Sequence, residues 1–424
     1  MLDTMLSSLA VQAGVDADKQ ALSNLRVLDL SRILAGPWCT QNLADLGAEV
    51  IKIERPGSGD DTRAWGPPWL PGQNAGHAPD SSYYSAANRG KKSVTIDITS
   101  SDGQNLIRRL AQSCDVFIEN FKVGNLKKYG LDYESIKKEK PDIIYCSITG
   151  FGQQGPYAHR PGYDFVFQGM GGMMSITGEK DSRPGGGPQK VGIALADIIT
   201  GMYSTIAILA AVNHRNKSGK GQYIDMSLLD CIVALGSNQI TSYFASGKAP
   251  GRMGNAHMSL VPYGVYPTRD GHIIIAIGND QQWQRYCAAI EREDLAVDTG
   301  FSRVTDRIIN RERLDVELNN VMQKKDSHTW LELLESHGVP CGPINNYEQV
   351  FQNEQVVHRQ LRVDLQREDG ACISTAASPL RLEDTPPRYD RPPPMRGQHT
   401  DQVLSSILDI NAEKLDALRK SMVI

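Results

Sequence analysis

The chain has 424 residues, 40% of them hydrophobic, and 45 Lys and Arg against 49 Asp and Glu give it a formal net charge of −4. This length and apolar content are sufficient for one large or two medium domains, which excludes a disordered chain. The balanced charge, without any block of like charges, excludes the basic footprint of a nucleic-acid-binding protein. The expected partners are therefore small molecules or other protein chains, with no nucleic acid and no membrane.

Cysteine and histidine usage bears on redox compartment and metals. The seven cysteines are scattered and never form CxxC, and the nine histidines never form HExxH. These spacings argue against a disulfide framework and a zinc site, and they predict a reducing compartment. We expect no metal and no tightly bound cofactor.

The N-terminal residues 1–24 predict a loose leader. They contain Asp3, Asp16 and Asp18 and no long apolar core, which fits neither a secretory signal nor an Arg-rich transit peptide. The acidic leader favours a cytoplasmic location, with a mitochondrial one left open.

The first half of the chain alternates strand-like and helical patterns. Helical patterns occupy residues 36–46 and 101–114, and such alternation predicts a doubly wound, Rossmann-like α/β domain. Compact runs rich in β-branched residues predict buried parallel strands at Arg26–Leu30, Glu49–Glu54, Ser93–Ile98, Asp115–Glu119 and Asp142–Ser147.

Two stretches interrupt this alternation. Residues 55–80 are rich in Gly, Pro and Trp, and a loop of this length inside a domain predicts a packed functional segment. Residues 169–187 are rich in Gly, which permits sharp turns or close approach to a ligand.

The domain prediction places a large α/β domain at 25–230 and a smaller α+β domain at 231–344. The most apolar window, 198–212, is interrupted by polar residues and predicts a buried helix rather than a membrane span. A strong strand is predicted at His272–Gly278, in the smaller domain. The segment 345–424 is expected to return to the large domain.

The sequence contains no Walker loop, no GxGxxG after the first strand and no GxSxG motif, so the usual marks of ATP-dependent, nicotinamide-dependent and serine-hydrolase chemistry are missing. Two carboxylates remain as candidates, Asp164 in PGYDF and Asp197 in GIALADIITG. Asp197 is framed by apolar residues, so it is paired with a cation, caps the following helix, or is held for chemistry.

Many ordered motifs carry a family resemblance. The runs VLDLSRILAGPWCTQNLADLGAEVIKIERPGSGDDTR, NRGKKS, FIENF, SITGFGQQGP, LADIITG, CGPIN and RPPPMRGQHT extend from about Arg26 to about Thr400. In this order they resemble the family III CoA-transferases, the group of formyl-CoA and carnitine CoA-transferases. WGPPW, SLVPYGVY and the ending RPPP-x-x-GQHT are most similar to the members that transfer CoA from succinyl-CoA to glutarate or hydroxymethylglutarate.

The resemblance implies a nucleophile. The family's catalytic Asp corresponds to Asp197, which would form an aspartyl anhydride and then an aspartyl-CoA thioester while CoA moves between two carboxylic acids. Coenzyme A would enter as substrate, and the acceptor would be a dicarboxylate. Leu34 stands where formyl-CoA transferases have Gln, which argues against oxalate.

The resemblance also implies CoA contacts. Arg55 and Lys128 would meet the phosphates, by charge-assisted hydrogen bonds and as a point charge, respectively. The remaining positions implied to bind CoA are Leu34, Ala35, Ile96, Asp97, Thr99, Asn120, Phe121, Lys122, Tyr163 and Asp164.

A flap over the site is implied at residues 251–257, with Gly254, Asn255 and His257 near the substrate. The segment has two glycines, Gly251 and Gly254, fewer than the family's flap; the alternative interpretation is a surface linker. The candidates for binding the distal carboxylate of the acceptor are Arg63, Arg89 and Arg252.

Two other functions compete with CoA transfer. The α-methylacyl-CoA racemases share the implied fold but carry His where Tyr163 stands, and a Tyr of ordinary pKa is a poor base for that reaction. A non-catalytic CoA-binding protein would have no use for a carboxylate at position 197. The resemblance further implies a homodimer of two interlocked chains.

Overall fold

The computed structural model describes residues 20–70 and 79–424. The leader predicted at 1–24 lies outside the described residues as far as residue 19, and so do residues 71–78 of the predicted functional loop. The chain folds into two compact units. Unit 1 combines the described residues up to Met173 with Val191–Ile240 and Val357–Ile424, and unit 2 combines Met174–Lys190 with Thr241–Val356.

Unit 2 begins and ends at other residues than the predicted small domain, and it also contains a segment that the prediction assigned to the large domain. The main part of unit 2 spans Thr241–Val356 rather than 231–344, and the glycine-rich segment Met174–Lys190 also belongs to it. The backbone N–H of Gly254 donates to the carbonyl of Gly178 at 3.0 Å, so this segment pairs with residues far along the chain. Local sequence patterns do not report such a long-range pairing.

A parallel six-stranded sheet forms the centre of unit 1, in the order β3-β2-β1-β4-β5-β6. The predicted parallel α/β sheet is therefore confirmed, although β3 begins two residues earlier than the pattern indicates. The strands are β1 Arg26–Asp29, β2 Glu49–Glu54, β3 Lys91–Thr95, β4 Val116–Glu119, β5 Ile144–Thr149 and β6 Tyr223–Ser227.

Both faces of this sheet are covered. Successive side chains of a strand point to opposite faces, so Val27 and Leu28 of β1 enter two different apolar clusters. Phe117 and Tyr145 lie in the cluster with Leu28 and stack at 4.8 Å. Burial on both sides explains why the strands read as nearly continuous apolar runs.

The helices of unit 1 pack on these two faces. The C-terminal helices α17 and α18 contribute to the cluster with Leu28. Unit 1 also holds the antiparallel pair β10 Arg362–Gln366 and β11 Cys372–Ala376. The helices are α1 Ala35–Asp45, α2 Ser82–Ser85, α3 Ser101–Gln112, α4 Tyr133–Glu139, α5 Asp164–Met170, α7 Leu195–Ser218, α8 Leu228–Leu235, α17 Thr400–Leu408 and α18 Ala412–Lys420.

Helix α7 is long and apolar enough to cross a membrane by length and composition alone, a test that core helices also pass. It packs against α1 and α8. Ile208 and Ala211 are buried on its inner side, whereas Met202, Tyr203 and Ile206 are exposed. The helix predicted to be buried is therefore buried on one side only.

Unit 2 is built around a three-stranded antiparallel sheet in the order β7-β8-β9, with Trp283 and Trp330 in its core. Its strands are β7 Tyr263–Pro267, β8 His272–Ala276 and β9 Cys341–Pro343. The segments α6 Met173–Ile176, α9 Ser237–Ser246 and α16 Glu354–His358 cross the boundaries between the units, and the other helices are α10 Asp280–Ala289, α11 Glu293–Val297, α12 Val304–Ile309, α13 Arg311–Met322, α14 Ser327–Ser336 and α15 Tyr347–Gln352.

Candidate functional site

A cavity of about 260 Å³ opens at the carboxyl ends of the first four strands of unit 1. The strand order reverses between β1 and β4, and ligands of α/β sheets bind outside the carboxyl ends of strands at such a point. Of the residues predicted to bind CoA, the cavity is lined by Arg55, Ile96, Asp97, Thr99, Phe121 and Lys128.

Sequence reasoning missed several lining residues that follow the same strands. Arg32 comes just after β1, Asn125 and Tyr129 follow β4, and Lys52 and Asp60 belong to or follow β2. Ligands of α/β sheets bind outside the carboxyl ends of the strands. Applying this rule to every predicted strand, instead of relying on family positions alone, would have found these residues.

Lys52 and Asp60 form a buried ion pair beside this cavity, with Nζ and Oδ2 at 2.9 Å. Burial raises the pKa of Asp60, but the Lys52 ammonium and hydrogen bonds from Thr62 outweigh burial and bring it to about 2. Lys52 also donates to the carbonyl of Ser31 at 2.9 Å. This pair is therefore a fixed part of the site that anchors the loop after β1.

The loop after β1 is held by Asn120. Its Nδ2 donates to the carbonyl of Arg32 at 2.7 Å, and its Oδ1 accepts the N–H of Arg32 at 2.9 Å. The next residue, Ile33, has φ of 71°, which is costly for a β-branched side chain. The predicted CoA residue Asn120 thus uses its amide to hold the loop that leads to Leu34 and Ala35.

Leu34 and Ala35 begin α1 and are buried rather than exposed in the cavity. A Cβ on Gly201 of α7 would lie 2.7 Å from the carbonyl oxygen of Ala35, so the two helices approach closely here. Gly201 lies one helical turn after Asp197 and on the same face. The close packing therefore brings the predicted nucleophile beside the start of α1.

Asp197 lies in the first turn of α7 but does not cap it. The N-cap position is Ala194, which provides no side-chain hydrogen bond. Instead Asp164 of α5 accepts the backbone N–H of Ala196 at 2.6 Å. The alternative interpretation of Asp197 as a helix cap is wrong, because Asp164 has that role.

The other oxygen of Asp164 accepts Gln168 Nε2 at 2.8 Å. The Gln168 amide in turn accepts the N–H of Val191 at 2.8 Å and donates to the carbonyl of Ile193 at 3.2 Å. Both Asp164 oxygens are therefore used to hold the segment before α7. Asp164 therefore supports the start of the helix that carries Asp197, and its contact with CoA stays a prediction.

Asp197 combines a raised pKa with the lack of a polar partner among the described residues, whereas Glu119, whose pKa burial also raises to about 7, accepts hydrogen bonds from Ser147 and Phe121. Asp197 accepts no hydrogen bond and forms no ion pair within residues 20–70 and 79–424. Desolvation, followed by the charge of Asp164, raises its pKa to about 7. An unpaired, desolvated carboxylate costs free energy in the folded state, and such groups are concentrated at functional sites.

Tyr83 is a residue of this cluster that sequence reasoning missed. Burial first, and then the charges of Asp197 and Asp164, raise its pKa to about 12, so its hydroxyl stays protonated. Its ring meets Trp65 edge to face at 5.3 Å. A sequence signal for Tyr83 does exist, since aromatic residues recur in the Gly- and Pro-rich loop and in the SYYS segment that follows it.

Two other predicted positions lie apart from the cavity. Lys122 is exposed and does not line it. Tyr163 is 67% exposed at the start of α5. An exposed Tyr in that position has no support as the base of a racemase.

Arg63 was a candidate for binding the distal carboxylate of the acceptor, but its guanidinium is already bound by carboxylates of the protein itself. It forms two hydrogen bonds with Glu54, at 2.6 and 2.7 Å, and a third with Asp80 at 2.9 Å. It also stacks on the Tyr84 ring at 3.7 Å. The side chain is 7% exposed, so Arg63 is a structural residue and not a substrate ligand.

The other two candidates for the distal carboxylate are also paired. Arg89 is buried and forms a two-pronged ion pair with Asp45, at 2.7 and 2.8 Å. In unit 2, Arg252 pairs with Asp181 and donates to the carbonyl of Ser175 at 3.2 Å. Asp181 is 75% exposed, so the Arg252 pair is the more accessible of the two.

The predicted flap lies in unit 2. A Cβ on Gly254, whose φ is 60°, would lie 2.9 Å from the Glu179 carboxylate. The carbonyl of His257 accepts Arg311 Nη2 at 2.6 Å. A Cβ on Gly264 would lie 3.1 Å from the carbonyl oxygen of Asn255. Within unit 2 the segment therefore contacts both the glycine-rich segment and the small sheet.

Within the described residues, no group of three or more His, Cys, Asp or Glu side chains is placed to hold a metal ion. A parallel α/β sheet with a cavity at its carboxyl edge, and an unpaired carboxylate of raised pKa in the same unit, is typical of an enzyme.

Sequence comparison identifies which enzymes the chain resembles. The sequence profile of CoA-transferase family III matches residues 22–400, so the chain belongs to this family. It is 48% identical over 389 residues to the succinate–glutarate CoA-transferase of Agrobacterium fabrum, covering 92% of this chain and 96% of that protein. It is 40% identical over 403 residues to the human succinyl-CoA:glutarate CoA-transferase, covering 95% and 90%.

A solved structure agrees with this assignment. The crystal structure of a CAIB/BAIF family protein from Brucella suis superposes with a TM-score of 0.82 at 44% identity, covering 92% of this chain and all of that one. The chain is also 38% identical to the succinyl-CoA:mesaconate CoA-transferase of Haloarcula hispanica, covering 91% of this chain and 96% of that protein.

Proposed function

We propose that this protein transfers CoA from succinyl-CoA to a dicarboxylic acid such as glutarate or hydroxymethylglutarate, with Asp197 as the nucleophile. The observation that carries the proposal is an unpaired carboxylate whose pKa is raised to about 7, at the start of a helix in a CoA-transferase chain. The names of the relatives support the substrate class, because each is a CoA-transferase named for succinate or succinyl-CoA together with a second dicarboxylate, glutarate or mesaconate.

In the first half-reaction, the Asp197 carboxylate attacks the thioester carbonyl of succinyl-CoA. A carbon–oxygen bond forms, the carbon–sulfur bond breaks, and the products are a succinyl-aspartyl anhydride and CoA thiolate. The thiolate then attacks the aspartyl carbonyl, which releases succinate and leaves an aspartyl-CoA thioester. Desolvation of Asp197 favours the attack because a carboxylate in water is a weak nucleophile.

In the second half-reaction, the acceptor carboxylate attacks the aspartyl-CoA carbonyl and regenerates an anhydride and CoA thiolate. The thiolate attacks the acceptor's carbonyl, giving the new acyl-CoA and free Asp197. Each intermediate conserves the reactivity of the thioester, so the cycle needs no ATP. Water has to be excluded while the anhydride exists, and residues 251–257 are the segment we assign to this role.

The cavity at the strand ends is the site we assign to the nucleotide part of coenzyme A. Arg55 and Lys128 line it and provide positive charge for phosphates, and Phe121 provides an apolar wall. For the distal carboxylate of the acceptor we retain Arg252, since Arg63 and Arg89 are held by buried carboxylates.

We further propose a Rossmann-like large domain within an interlocked homodimer. Large apolar side chains are exposed in unit 1, among them Phe165, Met170, Tyr203 and Ile206, and a surface of this kind favours a protein partner. Light scattering at working concentration would show a dimer mass; a monomer peak would contradict this proposal. A cytoplasmic location, with mitochondria as the alternative, stays a prediction.

The test is mass spectrometry of CoA products after the protein is mixed with succinyl-CoA and glutarate, hydroxymethylglutarate, itaconate, malate, oxalate or carnitine. We expect a new acyl-CoA with a dicarboxylate and none with Asp197→Ala. Lack of exchange with every acid would overturn the proposal. Solvent deuterium entering the α-carbon of a branched acyl-CoA would instead assign the racemase activity.

A further inference from the structure

Asp61 bridges two arginines beside the cavity at the strand ends. Its Oδ2 accepts Nη1 of Arg32 at 2.8 Å, and its Oδ1 accepts Nη2 of Arg55 at 2.6 Å. Both arginines line the cavity, one after β1 and the other after β2. One carboxylate thus holds two guanidinium groups from neighbouring strand ends close together.

The surroundings of Arg32 favour an anionic ligand. Its guanidinium lies 5.5 Å from the centre of the Phe121 ring, and its Nε is buried without a hydrogen-bond partner among the described residues. Lys128 adds a third cation to the cavity wall. The three carboxylates that also line the cavity have other partners, Glu54 with Arg63, Asp60 with Lys52 and Asp97 with Thr99.

Asp61 differs from its neighbour Asp60 in how firmly it is held. The Asp60 side chain is 1% exposed and locked to Lys52, whereas the Asp61 side chain is 37% exposed. Ion pairs at exposed positions are weak, because water competes for both partners. The Asp61 carboxylate can therefore give up both arginines without disturbing the buried network.

We propose that Arg32 acts with Arg55 to bind the diphosphate of coenzyme A, and that Asp61 is the internal competitor that the diphosphate displaces. This inference rests on the proposed function, which places coenzyme A in this cavity. A carboxylate offers one charge and one oxygen to each arginine. A diphosphate offers two charges and enough oxygens for a forked contact with each guanidinium. The exchange therefore favours ligands that carry a diphosphate over simple carboxylates.

Calorimetric titration of the purified protein with coenzyme A, and separately with pantetheine, tests the inference. Pantetheine has the same thiol arm but no diphosphate. The variants are Arg32→Gln and Asp61→Asn. The matched controls are Arg362→Gln and Asp364→Asn, which remove the same charges from an exposed ion pair in β10. Each titration is run at low and at high salt.

We expect Arg32→Gln to weaken coenzyme A binding by roughly tenfold or more, the usual loss for a hydrogen bond to a charged group. We expect Asp61→Asn to tighten it by about threefold to tenfold, with a smaller change at high salt. Pantetheine binding and both control variants should be unchanged. Unaltered binding in Arg32→Gln, or an equal loss for pantetheine, would overturn the role of Arg32.

Weaker binding in Asp61→Asn would overturn the role of Asp61 as a competitor. Failure of the proposed function gives a different result, because the wild-type protein would then transfer no CoA whatever its affinity for the nucleotide. Transfer with unchanged binding in both variants would refute this inference alone.

Discussion

Asp164 and Ala196 join two helices of unit 1 through one hydrogen bond, with Oδ1 of Asp164 2.6 Å from the backbone nitrogen of Ala196. The contact satisfies a free N–H of the first turn of α7, which would otherwise need a cap on its own segment. It also brings a second negative charge close to Asp197, and that charge adds to desolvation in raising the pKa of Asp197. One side chain thus positions Asp197, the proposed nucleophile, and raises its pKa.

The first prediction concerns the pH dependence of transfer. In the proposed mechanism only ionised Asp197 attacks, and its pKa is raised to about 7, so kcat/KM should fall as the pH drops below about 7. Asp164→Asn removes a negative neighbour and makes ionisation easier, so the acid limb should move to lower pH. The amide oxygen can still accept the N–H of Ala196.

The measurement is the profile of kcat/KM against pH for wild type, Asp164→Asn and the control Asp102→Asn, which removes an exposed charge from the first turn of α3. The control should follow wild type. A limb that stays in place or moves to higher pH in Asp164→Asn would contradict the coupling of the two carboxylates.

Tyr83→Phe should move the acid limb of the kcat/KM profile to higher pH, opposite to the effect of Asp164→Asn. The pKa of Tyr83 is raised to about 12, so its hydroxyl remains a proton donor near Asp197 at all working pH values. Without this polar group the surroundings of Asp197 become more apolar, which favours the neutral acid. We expect kcat/KM at pH 7 to fall severalfold, because a smaller fraction of Asp197 is ionised, with recovery at pH 9. A uniform loss at every pH would mean that Tyr83 acts on folding or binding instead.

Gly201→Ala should damage the packing that positions Asp197. Its Cβ would lie 2.7 Å from the carbonyl oxygen of Ala35, a backbone atom that cannot move aside. Overpacking of this kind costs about 1–3 kcal/mol of stability, and we expect kcat to fall because α7 must shift. Gly342→Ala is the matched control, since nothing lies within 4 Å of its added Cβ. The two measurements are the midpoint of thermal unfolding and kcat. Wild-type values of both for Gly201→Ala would refute the close contact.

Arg63→Met tests the structural role assigned to Arg63. Its removal leaves the buried Glu54 carboxylate without its arginine, whereas Asp80 keeps its pair with Arg367, and breaking a buried ion pair in this way costs about 3–5 kcal/mol. Urea unfolding should show this loss, and Arg362→Met, in an exposed pair, should show almost none. A folded Arg63→Met protein of normal stability with a raised KM for the acceptor would restore Arg63 as a substrate ligand.

The sequence was most informative where structure follows from short-range pattern. The strands of unit 1 are buried on both faces, so their apolar runs identified β1, β2, β4 and β5 to within two residues. At β3, Lys91 and Lys92 extend the strand in the N-terminal direction. The Lys91 ammonium is buried against Asp29 and the carbonyl of Pro37, a long-range arrangement that a pattern of apolar residues does not reveal.

The site was harder to predict because charged residues look alike in a sequence. Arg63 and Arg55 lie in the same loop, yet one is enclosed by buried carboxylates and the other lines the cavity. Asp197 could be singled out by its apolar neighbours, but that pattern did not show that Asp164 caps its helix. The pairing of Asp61 with Arg32 likewise depends on strand order, which brings the end of β1 beside the loop after β2.

The central claim, that Asp197 carries the acyl group and then CoA, is tested most directly by oxygen transfer. The acceptor's attacking oxygen becomes the bridging oxygen of the second anhydride, and it stays on Asp197 when CoA thiolate takes the acyl carbon. We therefore predict that turnover of succinyl-CoA with glutarate labelled with ¹⁸O in its carboxylates places ¹⁸O in the proteolytic peptide that contains Asp197, and none in the peptide that contains Asp164. Full transfer activity with an unlabelled Asp197 peptide would contradict the account.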